Sequence, residues 1–493
     1  MPQDYRNYIG GKWVDARSGE RFTRENPATG EMTGSYPLSG PDDVQDAACA
    51  AVEAQARWRA LPAPKRGEIL FRAAEILVRR KEEFARQLTE EMGKVIAEAR
   101  GDIQEAIDMT YYMAGEGRRL FGQTTPAELP NKWAMSVRAP VGVVGLITPW
   151  NFPMAIPSWK IAPALVAGNA VVFKPSQFAP KSAHNYVATL EEAGLPPGVL
   201  NLVHGEGDTA GRAIIDHPSV NLVSFTGSNA VGKQIAIRCA ELGKPVGLEM
   251  GGKNAITILD DADLKLALEG VLWSAFGTTG QRCTAASRVI VHEAVYDQFA
   301  QMLVDGAKRL RLGNGLDQTT DVGPVVNTAQ LEKVSSYMPV ARQDGATIAC
   351  GGNRASGDSL DRGYFFEPTV LLDARPEMRV SQEEIFGPVT ALIGVASLEE
   401  AIEVNNSVMY GLSSSIYTRD VNRAFKAMER LDTGLVYVNA GTIGAEVHLP
   451  FGGMRGTGNG HREAGVAALE TFTEWKSIYV DYSGKLQRAQ IDP

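Results

Sequence analysis

From about residue 141 the chain alternates short β-branched runs with amphipathic stretches. "VGVVGLI", "NAVVFKP", "GVLNLVHG" and "VNLVSFTG" read as strands, separated by "SWKIAPALVAG", "KSAHNYVATLEEAG" and "DTAGRAIIDH" and followed by "NAVGKQIAIRCAELG". This βαβα order requires parallel strands covered by helices on both faces. A second series starts near residue 253 with "NAITILDD", "ADLKLALEGVLWSAFG", "SRVIVHE" and "AVYDQFAQMLVDGAKRL". It runs on through "EEAIEVNNS", "LSSSIYT", "VNRAFKAMERLDTG" and "LVYVNAG". The pattern therefore predicts an α/β protein with two doubly wound parallel-sheet units and a cleft between them. Its 493 residues also exceed the roughly 250–300 that a single core accommodates. Open parallel sheets bind ligands at the carboxyl ends of their strands.

The segment before residue 130 reads as helix-rich after a short N-terminal stretch. In "SGPDDVQDAACAAVEAQARWRAL", Val44, Ala47, Ala48, Ala51, Val52 and Trp58 fall at helical spacing, with Gln55 the one polar break. A net charge of −9 argues against a nucleic-acid partner, which would require a basic face. The four cysteines, Cys49, Cys239, Cys283 and Cys350, are far apart and form no CxxC or CxxH pattern. This disfavours a disulfide framework or a metal site and suggests a reducing, cytoplasmic compartment. The N-terminus shows no basic segment followed by an apolar one, so no secretory leader is expected. The uncharged run between Arg138 and Lys160 contains Pro140, Pro149, Pro153 and Pro157. It reads as folded interior and loop, and no membrane association is expected.

Several stretches carry residue types suited to chemistry, each with an ordinary alternative. Gly227 and Gly232 flank "SNAV" between a strand and a helix, and Ser228 would start that helix beside free backbone N–H groups, an anion site. The spacing is not the usual G-x-G-x-x-G, so a tight turn is the alternative. Lys174 ends an apolar strand, where it could meet a ribose or simply solvent. Asn151, in the loop "ITPWNFPM", could stabilise an oxyanion or bond a turn. Glu249, in "GLEMGGKN", could have a raised pKa and act as a base. Glu383, Glu384 and Phe386 could hold a ligand's hydroxyls and ring. Cys283, in "FGTTGQRCTAAS", could be a nucleophile or a small buried hydrophobe.

Taken in order, "TPWNFPM", "FKPS", "FTGS...VG", "LEMGGKN", "GQRCTA", "EEIFGPV" and "LPFGG" resemble the aldehyde dehydrogenase superfamily from about Tyr8 to Tyr479. The resemblance implies a Cys283 thiol that attacks an aldehyde and an oxyanion hole from Asn151 and the Cys283 N–H. It implies hydride transfer to a nicotinamide, and Glu249 as the base that activates water against the resulting thioester. Lys160 and Glu463 match positions that relay the proton. Cofactor positions are implied at Ile147, Pro149, Trp150, Lys174, Ser176, Gln177, Gly211, Phe225, Thr226, Gly227, Ser228, Val231, Gly251, Glu384 and Phe386. Substrate-pocket candidates are Phe152, Ile156, Trp159, Arg282, Thr284 and His448, the last in "GTIGAEVHLP".

The resemblance further implies an NAD(P)-binding domain from 1–126 and 146–250, with 441–469 returning to it, and a catalytic domain from 251–440. An oligomerisation element would come from 127–145 and 470–493, giving a homodimer or homotetramer. Gln177 stands where many NAD-preferring relatives carry an acid, so NADP is expected to be tolerated beside NAD. Glu249 and Trp150 favour hydrolysis over transfer to coenzyme A, and "GQRCTA" and "GTIGAEVHLPFGG" resemble semialdehyde-oxidising branches. The alternatives are a coenzyme A-acylating enzyme, a catalytically silent relative and a bare cysteine esterase.

Overall fold

The computed structural model describes residues 3–491. Residues 1, 2, 492 and 493, the outer ends of the expected 1–126 and 470–493 segments, lie outside the described residues. Five parallel strands lie side by side in the order Val246–Glu249, Leu222–Thr226, Val143–Ile147, Ala170–Lys174 and Leu200–Leu202. Val143–Ile147 and Ala170–Lys174 are buried along their whole length, as parallel strands between two helix layers must be.

Helices α1 (Pro41–Ala60) and α4 (Ala155–Ala167) lie on this sheet, and α2 (Ala63–Met92) and α3 (Ile96–Glu116) pack over α4. In α1 the proline sits at the first turn, where a missing N–H costs nothing. The Asp43 carboxylate accepts the Gly40 N–H at 3.0 Å. The Trp58 Nε1 donates to the Leu165 carbonyl at 3.0 Å, tying α1 to α4. Val44, Ala47, Ala48, Ala51 and Trp58 face the interior as their spacing predicts, but Val52 is 47% exposed and Ala54 takes its place. One residue past Ala51 is a turn of about 100°, which carries Val52 off the stripe.

The N-terminal stretch is more structured than its composition suggests. Asn7–Ile9 pairs antiparallel with Leu200–Leu202, and Lys12–Val14 extends that edge. Gln3–Asp4, Arg21–Glu25 and Met32–Pro37 form a separate three-stranded sheet.

The second seven-stranded sheet runs Thr347–Cys350, Thr369–Leu372, Val389–Val395, Ala286–His292, Asn254–Ile258, Ser413–Tyr417 and Leu435–Val438. All its pairings are parallel except the first. The helix Thr328–Asp344 and the strands at 347–350 and 369–372 lie in a stretch where the sequence pattern gave no reading. A third sheet is antiparallel: Thr473–Asp481 pairs with Lys132–Pro140, which pairs with Gln123–Pro126.

The two large sheets meet edge to edge, but not symmetrically. Lys174 and Glu249 end strands of the first sheet. Cys283 and Glu384 lie in loops that precede strands of the second, Ala286–His292 and Val389–Val395. The carboxyl edge of one sheet thus faces the amino edge of the other. Those two loops touch at Gly280 (φ +68°), where a Cβ would overlap the Gly387 carbonyl. Gly280→Ala is expected to lower unfolding stability by about 2 kcal/mol or more, through left-handed strain and that overlap. The check is the urea midpoint at constant m-value; an unchanged midpoint contradicts the close approach.

Candidate active site

A cavity of about 580 Å³ lies along the carboxyl edge of the first sheet. All fifteen residues expected to bind a dinucleotide line it. Lys174 is buried, and its Nζ donates to the carbonyls of Pro175 (2.8 Å) and Gly205 (3.1 Å). An ammonium has a third proton to offer a ligand. Burial pulls the Lys174 pKa down to about 8. Ser228 caps the helix Asn229–Glu241 by accepting the Val231 N–H, so the positive end of a 13-residue helix opens on this wall. Gly227 and Gly232 are needed for packing, since a Cβ at either would overlap Phe225 or Met250 respectively.

The far wall comes from the second sheet. The Glu384 carboxylate accepts the Gly252 N–H at 3.0 Å, and a Cβ on Gly251 would overlap that carboxylate. Phe386 adopts φ +60° and meets Trp150 edge to face at 5.5 Å. A buried lysine, a helix N-terminus, a carboxylate and an aromatic face together fit the phosphates, hydroxyls and ring of a dinucleotide. Arg212, Arg238, Asp208, Gln330 and Lys333 also line the cavity. Sequence reading missed them because each projects from a helix, or from the turn opening one, that carries no motif.

A second cavity of about 330 Å³ opens from the first. Cys283, Met250, Thr226 and Ile156 line both, so the thiol sits where the two spaces join. The turn that carries it is pinned from several sides. The Asn254 Nδ2 donates to the Cys283 carbonyl (2.7 Å) and the Ala285 carbonyl (3.0 Å). The Thr442 hydroxyl donates to the Thr284 carbonyl at 2.7 Å, and the Gln281 side chain accepts the Val326 N–H at 3.0 Å. Thr278 and Thr279, just upstream, have φ of +51° and +58°. Non-glycine residues pay about 1–3 kcal/mol each for such backbone, which surrounding contacts must offset. Asn151 is buried beside the thiol's cavity, in the loop leading into α4.

Glu249 is 4% exposed, and among the described residues neither carboxyl oxygen has a well-formed hydrogen bond, the Gly453 N–H being a nearby donor. Burial, reinforced by the nearby Glu463 charge and opposed by Lys160, holds its pKa well above the usual carboxylate range. Lys160 is fully buried; its Nζ donates to the Ser224 hydroxyl at 2.8 Å and pairs with Glu463. The Thr226 hydroxyl donates to Glu463 as well. This arrangement can hold a proton next to the thiol and pass it toward a buried ion pair.

Phe152, Ile156, Trp159, Arg282 and Thr284 line the second cavity, but His448 does not. The His448 side chain is 56% exposed and its Nδ1 lies 3.7 Å from Glu446. The loop reaches the cavity through Ile443, Gly444 and Ala445 instead, so the expected pocket histidine is corrected to these backbone-rich positions. Three carboxylates of α3, Glu98, Asp102 and Glu105, also line this cavity. Burial and the neighbouring Asp102 push the Glu105 pKa up to about 8. No local signal marks them, because the segment that holds α3 reads only as helix-rich.

Residues 13–478 match the model of the aldehyde dehydrogenase family. The chain is 43% identical over 477 residues to the alpha-ketoglutaric semialdehyde dehydrogenase of Bacillus subtilis (strain 168), covering 97% of this chain and 98% of that one. It is 38% identical to the NADP(+) succinate-semialdehyde dehydrogenase GabD of Escherichia coli (strain K12), over 96% of this chain and 97% of that one. Among solved structures, betaine aldehyde dehydrogenase from Staphylococcus aureus in complex with NAD+ superposes with a TM-score of 0.96. It is 36% identical, covering 98% of this chain and 95% of that one.

The thiol's surroundings make a direct prediction. Burial, with the Glu384 and Glu249 carboxylates adding to it, pushes the Cys283 pKa up to about 12. Thiolate is the reactive form, so iodoacetamide labelling of Cys283 in the free protein should rise steadily with pH and show no plateau below about pH 10. Site-resolved mass spectrometry reads the rate. A plateau near neutral pH contradicts this account of the resting thiol.

Proposed function

The chain belongs to the aldehyde dehydrogenase family and oxidises aldehydes to carboxylic acids with NAD(P), and from that premise we propose that its substrates are ω-oxo carboxylates, oxidised through a thioester on Cys283. The observation that carries this reading is the position of Cys283 at the junction of a dinucleotide-sized cavity and a smaller one that contains Arg282. A guanidinium offers planar paired donors suited to a carboxylate. The semialdehyde names of the relatives support the same substrate class.

Cys283 gives its thiol proton to Glu249, which passes it on toward Lys160 and Glu463, and the sulfur forms a C–S bond to the aldehyde carbon as the carbonyl electron pair moves onto oxygen. Asn151 and the Cys283 N–H stabilise that oxyanion. Lys174, Gly227, Ser228, Glu384 and Phe386 would hold the cofactor, which when bound supplies the acceptor for the hydride leaving this carbon. Glu249 then takes a proton from water as the water oxygen adds to the thioester carbonyl. The C–S bond breaks, the acid departs and the thiol is restored. A carboxylate whose pKa is raised by burial is a stronger base than an exposed one, and Lys160 with Glu463 carries the proton away. Glu249 and Trp150 favour water over coenzyme A as the acyl acceptor.

Gln177 offers the adenine-side ribose hydrogen bonds without the negative charge that would repel a 2′-phosphate, which supports use of both NAD and NADP. The three-stranded antiparallel sheet of 123–126, 132–140 and 473–481 exposes Trp133, Trp475, Tyr479 and Val480. Apolar side chains on an open sheet support its role as the oligomerisation element of a homodimer or homotetramer. The same reading assigns 1–126 and 146–250, with 441–469, to NAD(P) binding and 251–440 to catalysis. Among the described residues no helix is long and apolar enough to cross a membrane. The four cysteines are unpaired, which supports a reducing, cytoplasmic setting.

Initial rates of reduced-cofactor formation test the reading. With coenzyme A absent, ω-oxo carboxylates should exceed plain alkanals of equal length by about 10-fold or more in kcat/KM, the worth of one charge-assisted hydrogen bond. NAD and NADP should turn over within about 10-fold of each other, and Gln177→Glu should raise the NADP KM by about 10-fold or more. Equal rates on both aldehyde classes, or strict exclusion of NADP by the wild type, contradict the corresponding part.

A further inference from the structure

Helix α3 belongs to the first unit, yet it braces both reacting walls of the second cavity. Glu98, Asp102 and Glu105 fall four and three residues apart, on one helical face that lines the cavity. Asp102 is fully engaged: one oxygen accepts from Lys94 Nζ at 2.9 Å and the other from the Ala155 N–H at 2.8 Å, at the start of α4. Glu98 reaches the opposite wall. Its two oxygens accept the Thr278 N–H at 2.9 and 2.8 Å, and one accepts the Thr278 hydroxyl at 3.2 Å. It also accepts from the Arg282 Nη2 at 3.0 Å.

Thr278 is the first of the two left-handed threonines in the turn that leads to Arg282 and Cys283. Glu98 therefore bonds the strained backbone directly, and it bonds the guanidinium next to the thiol. Gly277 leaves room for it: a Cβ there would lie 2.8 Å from a Glu98 oxygen. The remaining contacts of Arg282 fit a held, cavity-facing cation. Its Nε donates to the Thr278 hydroxyl at 2.9 Å. Its guanidinium carbon lies 5.3 Å from the Phe152 ring centre and 5.9 Å from that of Trp273. Nη1 has no hydrogen-bond partner among the described residues and is left for a ligand.

We propose that Glu98 is a positioning residue for substrate specificity: it fixes Arg282 so that the guanidinium meets the substrate's carboxylate while the aldehyde reaches Cys283. The proposal rests on the reading of Arg282 as the carboxylate anchor. A free arginine side chain samples many rotamers, and a planar fork recognises a carboxylate well only when it is held in place. Glu98 supplies that hold from a part of the chain some 180 residues away in sequence.

The experiment compares 4-oxobutanoate with butanal, equal in carbon number and differing in the carboxylate, on wild type, Glu98→Ala, Glu98→Gln, Arg282→Leu and Glu98→Ala/Arg282→Leu. Glu98→Ala should raise the KM for 4-oxobutanoate by about 10-fold or more and that for butanal by less than about 3-fold. Glu98→Gln keeps an acceptor for the Thr278 N–H, so its kcat on butanal should stay within about 2-fold of wild type while its 4-oxobutanoate KM still rises. In its preference for 4-oxobutanoate over butanal the double variant should match Arg282→Leu alone, because the Glu98–Arg282 contact is already lost there and the Thr278 bonds that Glu98→Ala also removes act on both aldehydes alike. Equal shifts on the two aldehydes, or additive losses of that preference in the double variant, overturn the proposal. So does a fall in the 4-oxobutanoate KM, which would mean that Glu98 competes for the guanidinium. If Arg282→Leu loses discrimination while both Glu98 variants keep it, the carboxylate reading stands and the role of Glu98 fails. If Arg282→Leu itself discriminates as wild type does, both fail together.

Discussion

A thiol, a lysine and several carboxyl groups are held out of water where the carboxyl edge of one parallel sheet faces the amino edge of another. Charge is costly in such a place. Cys283 and Glu249 accordingly have raised pKa values, while the buried Lys160 ammonium is compensated by donating hydrogen bonds to Ser224 and Glu463. The same desolvation makes a few aimed donors sufficient for catalysis, since hydrogen bonds and dipoles act more strongly in a dry cavity than in water. The fold supplies the dryness: α4 is buried almost throughout, and the turn bearing Cys283 is bonded on both sides.

The edge-to-edge meeting also places one cysteine between two ligand-sized cavities. Strand ends of the first sheet supply Lys174 and Glu249, and pre-strand loops of the second supply Cys283 and Glu384. The dinucleotide-sized cavity runs along the first edge, and the smaller cavity opens under α3 and α4. On the proposed mechanism a rigid frame is needed to keep the thiol within bond-forming reach of a substrate in one space, with the bonded carbon facing a cofactor held in the other.

Much of this was legible in the chain because its signals are local. Lys174 closes an apolar run, Ser228 follows a strand and starts a helix, and Asn151 sits in a proline-rich loop; each is where those few neighbouring residues put it. The carboxyl-end rule for parallel sheets holds for the first sheet and not for the second, whose contribution comes from loops before strands. What could not be read is long-range. Glu98 and Arg282 are 184 residues apart and meet only in the folded chain. Arg212 and Arg238 turn toward the cavity from elements with no motif. His448 is a pocket candidate through its place in "GTIGAEVHLP", but the folded loop leaves its side chain exposed. Val52 failed by a single helical step.

The central claim is that oxidation passes through a thioester on Cys283 that Glu249 releases. Its most direct test is rapid-quench intact-mass and peptide analysis of Glu249→Gln mixed with NAD and an ω-oxo carboxylate. The account predicts a burst of about one reduced cofactor per subunit, followed by a near stall. The Cys283 peptide should gain the mass of the substrate less two hydrogens. Sustained turnover at the wild-type rate with Cys283 unmodified, or the adduct on another residue, would contradict it.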